Sequence, residues 1–143
     1  METSNKGYEF IKSHEGLRLK AYRCPGGVWT IGYGHTPGVK EGDVITKEQA
    51  EELLKKDIKE IEDKLNSLNL NLTQNQFDAL VSFIFNVGWS NFKSSTLLKK
   101  IKINPDDPSI RGEFGRWVFA NGKKLNGLIK RRKDEASLYF DET

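Results

Sequence analysis

The 143-residue chain predicts an α+β protein: one short helix, a small antiparallel sheet, then an all-helical remainder. Three observations carry this reading. Residues 17–45 drop the helical period and gain Gly, Pro, Thr, Tyr and Val, the composition of short strands and tight turns. From Thr46 onward, apolar residues recur at steps of three and four. Between Phe77 and Phe85 the apolar positions cover nearly the whole helix circumference, the mark of a helix at the centre of a core.

Residues 5–15 form the first predicted helix. Tyr8, Ile11 and Glu15 share one face, because side chains three and four apart stack over each other. Gly16 is its stop signal. The sheet is expected to pair an arm Leu17–Arg23 with an arm Val28–Gly34 across Pro25-Gly26-Gly27, with a second turn at Pro37-Gly38. Thr46 and Gln49 have capping-box spacing and open a long amphipathic helix whose apolar face is Ala50, Leu53, Leu54, Ile58, Ile61, Leu65 and Leu68. Thr73 and Gln76 repeat that spacing before the core helix, which Gly88 ends. Two shorter helices follow, about 94–102 and 109–119, divided by Asn104-Pro105-Asp106-Asp107-Pro108. Asn121-Gly122 marks a turn, and 127–140 is a last basic helix. Trp89, Phe92, Phe114 and Trp117 are expected in the core or a cleft wall.

Composition narrows the function. An apolar share of 36% and an aromatic share of 10% fit a folded domain rather than a disordered chain. No apolar run approaches the roughly 18 residues of a spanning helix, so stable membrane insertion is not expected. The N-terminal Met-Glu-Thr-Ser-Asn-Lys is no apolar leader, so the protein is expected to stay in the cytoplasm until something else releases it. One cysteine, Cys24, leaves no internal disulfide. The net charge of +3 is mild. Lys123, Lys124, Lys130, Arg131, Arg132 and Lys133 nevertheless cluster near the C-terminus, which suggests attraction to a polyanion such as an acidic wall polymer, or simply a solvated helix face. No zinc finger, aromatic RNA-binding signature or basic zipper supports a nucleic-acid partner. His14 and His35 lack a metal-ligand spacing, and no metal or cofactor is expected.

The window His14 to His35 concentrates the chemistry. Glu15 sits on an apolar helix face, next to the negative end of the helix dipole; burial and dipole would both keep its carboxyl protonated, as a general acid requires. Cys24 lies at the hairpin turn, and Thr30 lies on the returning strand. Strand alternation puts Val28, Thr30 and Gly32 on one side, so Thr30 can share a surface with Cys24 and Glu15. Each also has a plainer reading. Glu15 would be an ion-pair carboxylate with Arg18 or Arg131, Cys24 a small buried hydrophobe, and Thr30 an ordinary strand residue. His35 and Asn86 read as structural hydrogen-bonding groups.

This window resembles the phage-type lysozymes, the endolysins of glycoside hydrolase family 24, whose pattern is Glu, eight residues, Asp or sometimes Cys, five residues, Thr. Glu15, Cys24 and Thr30 stand at those spacings. Thr30-Ile31-Gly32-Tyr33-Gly34-His35, Asp78 to Gly88, Ser95-Thr96-Leu97-Leu98 and Gly127-Leu128-Ile129-Lys130-Arg131-Arg132-Lys133-Asp134-Glu135 also resemble the family, and the likeness spans residues 7–140.

The resemblance implies a lysozyme-like fold over a single domain, residues 1–143. A β-rich lobe of about 15–45 would be joined by the long helix to a larger helical lobe made of the N-terminal helix and 70–143. The implied activity is cleavage of the β-1,4 bond between N-acetylmuramic acid and N-acetylglucosamine in peptidoglycan, by a monomer that needs no cofactor and depends on a holin for release to the wall or periplasm. Catalytic roles fall on Glu15, Cys24 and Thr30, and one of Arg131 and Arg132 is expected to have a fixed structural partner. Cys24 would be a general base or water-orienting group with Thr30, or a nucleophile, its thiolate supported by Arg18 and Arg23. The alternatives are a lytic transglycosylase that uses Glu15 alone, and a wall-binding module whose catalysis has lapsed.

Overall fold

The computed structural model describes residues 1–24 and 26–141. Helix α1 (Asn5–Glu15) begins at Ser4, whose side chain accepts from the Gly7 amide. Asp78 accepts from the Ser4 amide at 3.1 Å and from its hydroxyl, so the cap is itself anchored. Gly7 lets the two elements close in: a Cβ there would meet Asp78 at 2.7 Å. Gly16, with φ at 72°, ends α1 as expected.

Strands β1 (Arg18–Arg23) and β2 (Trp29–Gly32) pair antiparallel, with Tyr22 opposite Thr30 and Arg23 opposite Trp29. The register shifts between Arg18 and Tyr22, a bulge that bends β1. Single bridges, Lys20 to Val44 and Ile31 to His35, extend this small sheet. Pro25 of the expected turn lies outside the described residues, while Gly27 N–H donates to the Cys24 carbonyl at 2.7 Å.

Helix α2 (Lys47–Asn66) and helix α3 (Gln74–Val87) start as the sequence predicts. Thr46 and Gln49 form a reciprocal capping box, and so do Thr73 and Gln76. Each box satisfies two amides that would otherwise lack partners. Ala50, Leu54, Ile58 and Leu65 of α2 are buried; Leu53 and Ile61 are half-buried, as is Leu68 beyond the helix end. Every residue from Gln76 to Ile84 is buried, which places α3 in the middle of the molecule. Phe83 meets Phe92, Phe114 and Trp117 edge-on, with centroids 5.5–6.1 Å apart.

The C-terminal part departs from the expected boundaries. A short helix α4 (Trp89–Lys93) precedes α5 (Thr96–Ile103), which Ser95 caps. The expected helix 109–119 is only α6 (Ile110–Phe114). After Gly115 the chain turns into a two-stranded ribbon, β3 (Phe119–Ala120) and β4 (Lys123–Lys124). Asn121 and Gly122 supply the positive φ values, 51° and 76°, of a tight hairpin, which outweighs helix propensity over 115–119. Helix α7 (Asn126–Tyr139) closes the fold and packs along α3. The architecture is α+β, as predicted.

Candidate active site

Glu15 is the last residue of α1, and three elements fix that helix end. Lys12 Nζ donates to Glu51 of α2 at 2.7 Å and lies 5.6 Å from the centroid of the Tyr33 ring. The Tyr33 hydroxyl also donates to Glu51, at 3.3 Å. Their shared hydrogen bond holds Lys12 above the usual lysine range and Glu51 below the usual carboxylate range. The clamp ties α1 to α2 and to the loop after β2.

The Glu15 carboxylate, 18% exposed, accepts from Arg131 Nη1 at 2.5 Å. Of the two ion-pair partners that the sequence offers Glu15, Arg131 and not Arg18 is the one that forms. The guanidinium is itself only 5% exposed and held on every side. It donates to Glu135 at 3.3 Å, and to the Ser82 carbonyl and hydroxyl at 3.1 and 3.3 Å. Glu135, fully buried, is shared with Arg132, whose Nε lies 2.7 Å from Oε1. Arg132 then donates to Asn86 at 2.9 Å. Burial pushes the Glu135 carboxyl up and the Arg132 guanidinium down, and each offsets the other's cost by its charge.

This network corrects one sequence expectation. Arg131 and Arg132 do not contribute to an exposed basic patch; both are buried in ion pairs. Lys130 pairs with Asp134 at 2.8 Å, and Asp134 also meets His14 at 3.2 Å. Asp134 and Glu135 lie one turn further along the same helix, and Glu15 reaches Arg131 from the end of α1.

On its other side, Glu15 touches Gly34. A Cβ at that position would stand 2.8 Å from Glu15 Oε2 and 3.5 Å from Phe85. Gly34 has φ at 83°, so both conformation and space require glycine. Glu15 is thus held between a guanidinium and a glycine backbone.

Cys24 and Thr30 are brought together: Sγ and Oγ1 are 3.0 Å apart. Thr30 is buried, and its hydroxyl is also 3.2 Å from the Val28 carbonyl. Tyr22, which the sequence reading passed over, connects the pair to Glu15. Tyr22 lies opposite Thr30 in the sheet, and burial first, then charge on Cys24 and Glu15, pushes its phenol above the usual phenol range. Tyr22 was findable: it stands two residues before Cys24, on the same strand face. Arg18 and Arg23, expected to support a thiolate, instead lie over the rings of Tyr22 and Trp29, at 5.1 and 5.9 Å.

Two cavities lie on either side of the C-terminal end of α3. One, of about 800 Å³, is bounded by Gly26 at the hairpin, Asn86, Asn91, Trp117, Phe119 and Lys123. The other, of about 250 Å³, includes Gly34, Thr36, Asp57, Phe85 and Trp89. The larger offers aromatic faces, amides and one cation, with no acidic side chain in its lining. His35 bonds Asp57 at 2.7 Å, tying the loop after β2 to α2. His35 and Asn86 thus serve as hydrogen-bonding groups, as their sequence contexts suggested. Among the described residues, no group of three His, Cys, Asp or Glu side chains is placed to hold a metal ion.

A glutamate fixed at a helix end, beside a hairpin that carries a thiol and a hydroxyl, within this α+β frame, defines a lysozyme-like protein. The comparisons agree. The phage lysozyme family model matches residues 12–135. An endolysin of Acyrthosiphon pisum secondary endosymbiont phage 1 is 50% identical, covering 97% of this chain and 98% of its own. The endolysin of Salmonella phage P22 is 41% identical over 98% and 99%. Among solved structures, the muramidase domain of SpmX from Asticaccaulis excentricus superposes with a TM-score of 0.87 at 41% identity, covering 98% of both chains. A P22 lysozyme mutant gives 0.82 at 39% identity over 99% of both. The chain belongs to the phage lysozyme family and is a lysozyme-type glycoside hydrolase.

Proposed function

We propose that this chain is an endolysin that hydrolyses the β-1,4 bond between N-acetylmuramic acid and N-acetylglucosamine in bacterial peptidoglycan. One observation supports this most: Glu15 is fixed between Arg131 and Gly34, just before the hairpin on which Cys24 and Thr30 meet at 3.0 Å. In this reading Glu15 gives its proton to the glycosidic oxygen as the C–O bond breaks. Water adds to the anomeric carbon and gives a proton to Cys24, while Thr30 orients it. Cys24 then gives its proton to solvent and Glu15 regains one, which restores both groups. The cavities beside the site take the glycan, with Trp117 and Phe119 as stacking faces.

In this reading the chain is a single monomeric domain, held in the host cytoplasm until a holin opens the way to the wall; its likeness to phage endolysins supports a role in host lysis. Among the described residues, no helix is long and apolar enough to cross a membrane.

Purified Glu15→Gln protein on isolated sacculi tests the central role. General acid catalysis predicts a loss of at least about 10²-fold in turbidity clearing with the fold unchanged by circular dichroism. Clearing at the wild-type rate rejects it. Mass spectrometry of the released fragments reads the reaction type: reducing ends support hydrolysis, and a majority of anhydro-muramic ends would replace this reading with a transglycosylase. Release of no soluble fragment by the wild type would leave a wall-binding module.

A further inference from the structure

Asn86 stands in the last turn of α3, exposed, in the wall of the larger cavity. Its amide has a fixed orientation. Arg132 Nη2 donates to Asn86 Oδ1 at 2.9 Å. A guanidinium can only donate, so the atom it meets must be the amide oxygen, and the NH2 group takes the other side. Arg132 is not free to follow a different choice. It is 1% exposed, with Nε 2.7 Å from Glu135 and its guanidinium 5.0 Å from the centroid of the Phe83 ring. Among the described residues, no acceptor takes the protons of Asn86 Nδ2. Asn91, in the same lining, differs: its Nδ2 donates to the Val87 carbonyl at 2.7 Å. The two adjacent arginines of α7 thus act in parallel. Arg131 holds Glu15, Arg132 holds Asn86, and both are anchored on Glu135. Phe85, next to Asn86, stands 3.5 Å from where a Cβ on Gly34 would lie, and Gly34 touches Glu15. One buried carboxylate therefore sets an acid and an unpaired amide donor relative to each other.

We infer that Asn86 is a specificity-determining residue whose Nδ2 donates to an acetamido carbonyl of the bound glycan. This rests on the reading of the larger cavity as the glycan cleft. The ligand chemistry follows from the lining. A glycan offers hydroxyl, ring and bridging oxygens, and one amide carbonyl on each N-acetylated sugar. The carbonyl is the strongest neutral acceptor of these, and it matches a donor that is held in one orientation. Trp117 and Phe119, in the same wall, supply apolar surface for the acetyl methyl group. Arg132 Nη1 lies 3.5 Å from the Trp117 carbonyl, so the guanidinium that orients the amide also ties down that aromatic wall. A site that donates to this carbonyl selects against sugars that lack it, because their complex forgoes the bond.

Asn86→Asp keeps the shape and the oxygen that Arg132 meets, and replaces the donor by an acceptor. Asn86→Ala removes both. If Asn86 did no more than satisfy Arg132, the Asp variant would match the wild type and only the Ala variant would suffer. A donor to substrate predicts that Asn86→Asp keeps the wild-type thermal midpoint yet loses about tenfold or more in kcat/KM on isolated sacculi, chiefly through KM. The second measurement compares native sacculi with sacculi treated with a peptidoglycan N-deacetylase. The wild type should prefer the native substrate, and that preference should shrink about tenfold in both variants. Asn86→Ala adds no charge, so it separates the lost bond from attraction between a new carboxylate and the freed amines. The preference is a ratio within one protein preparation, so it still decides if a variant folds poorly. An Asn86→Asp protein with wild-type kcat/KM, or a preference unchanged in both variants, overturns this inference alone and leaves the hydrolase reading standing. Wild-type protein that releases no fragment from native sacculi overturns the hydrolase reading, and this inference with it.

Discussion

Arg131 Nη1 and Glu15 Oε1 meet at 2.5 Å across 116 residues of sequence, joining the last helix to the end of the first. The pair does more than neutralise a charge. Arg131 is rigid because Ser82 and Glu135 hold it, so it sets the position of the Glu15 carboxylate. The other oxygen of that carboxylate rests against Gly34.

Arg131→Ala should therefore damage both stability and activity. It leaves the buried Glu135 with one guanidinium instead of two and frees Glu15. Removing one partner from a buried pair costs about 3 kcal/mol or more. Arg131→Lys keeps the charge but cannot reach Glu15, Glu135 and Ser82 together, so it should recover part of the stability and little of the activity. Chemical denaturation with parallel sacculus assays checks this. An Arg131→Ala protein with wild-type stability and activity would mean that the pair is incidental.

Gly34→Ala separates position from charge. The added methyl would stand 2.8 Å from Glu15 Oε2, and the backbone at φ 83° disfavours any side chain by about 1–2 kcal/mol. The expected result is a modest drop in thermal midpoint and a larger, at least about tenfold, fall in kcat, because displacement of a catalytic group by a fraction of an ångström is felt steeply. Activity that falls only in proportion to the unfolded fraction would contradict a positioning role for Gly34.

These residues show what the sequence could reveal. The capping boxes at Thr46–Gln49 and Thr73–Gln76 depend only on neighbours three apart, and both formed as read. The burial of α3 followed from apolar residues around its whole circumference. Glu15, Cys24 and Thr30 stood out by spacing, and the last two are in contact. The ribbon at 119–124 was hidden because two-residue strands have no period to read, leaving only Asn121-Gly122 as a sign. The buried ionic network was hidden for another reason. Arg131 and Arg132 look like surface cations until Glu15, Ser82, Asn86 and Glu135 are known to surround them, and three of those four come from distant segments.

His14 supplies a pH dependence of stability. Burial first, then the nearby Arg131, holds its imidazole below the usual histidine range, although Asp134 opposes this. Lys130 and Arg132 add to the lowering. The unfolded chain, with histidine near about 6.5, then binds more protons than the folded one at mildly acid pH. Stability from this group is present above about pH 6.5 and is lost as the pH falls towards the folded-state value. His14→Gln removes the titration, so the wild type's advantage over the variant should shrink between pH 7.5 and about 5.5. Urea unfolding at both pH values measures it; a difference independent of pH would show that His14 titrates alike in both states.

Cys24 offers the sharpest separation of mechanisms. If its thiolate takes the proton from water, activity needs Cys24 ionised and Glu15 protonated at once, giving a bell-shaped profile whose two limbs belong to the pair. Cys24→Asp supplies a base that ionises several units lower, near about 4 instead of about 8.5, so it should retain activity with its profile moved to acid pH. Thr30 can donate to that carboxylate as it can to the thiolate. Cys24→Ala removes the base and leaves a gap beside Thr30. Under hydrolysis this should cost about 10²-fold or more, far beyond the Asp variant, whereas a reaction that used Glu15 alone would lose little. Alkylation of the wild type should match the Ala variant or exceed its loss, since the adduct also fills the space for water. Three pH–rate profiles on sacculi settle the comparison. An Ala variant as active as the wild type would assign the chemistry to Glu15 alone and leave the 3.0 Å Cys24–Thr30 contact as packing of the hairpin.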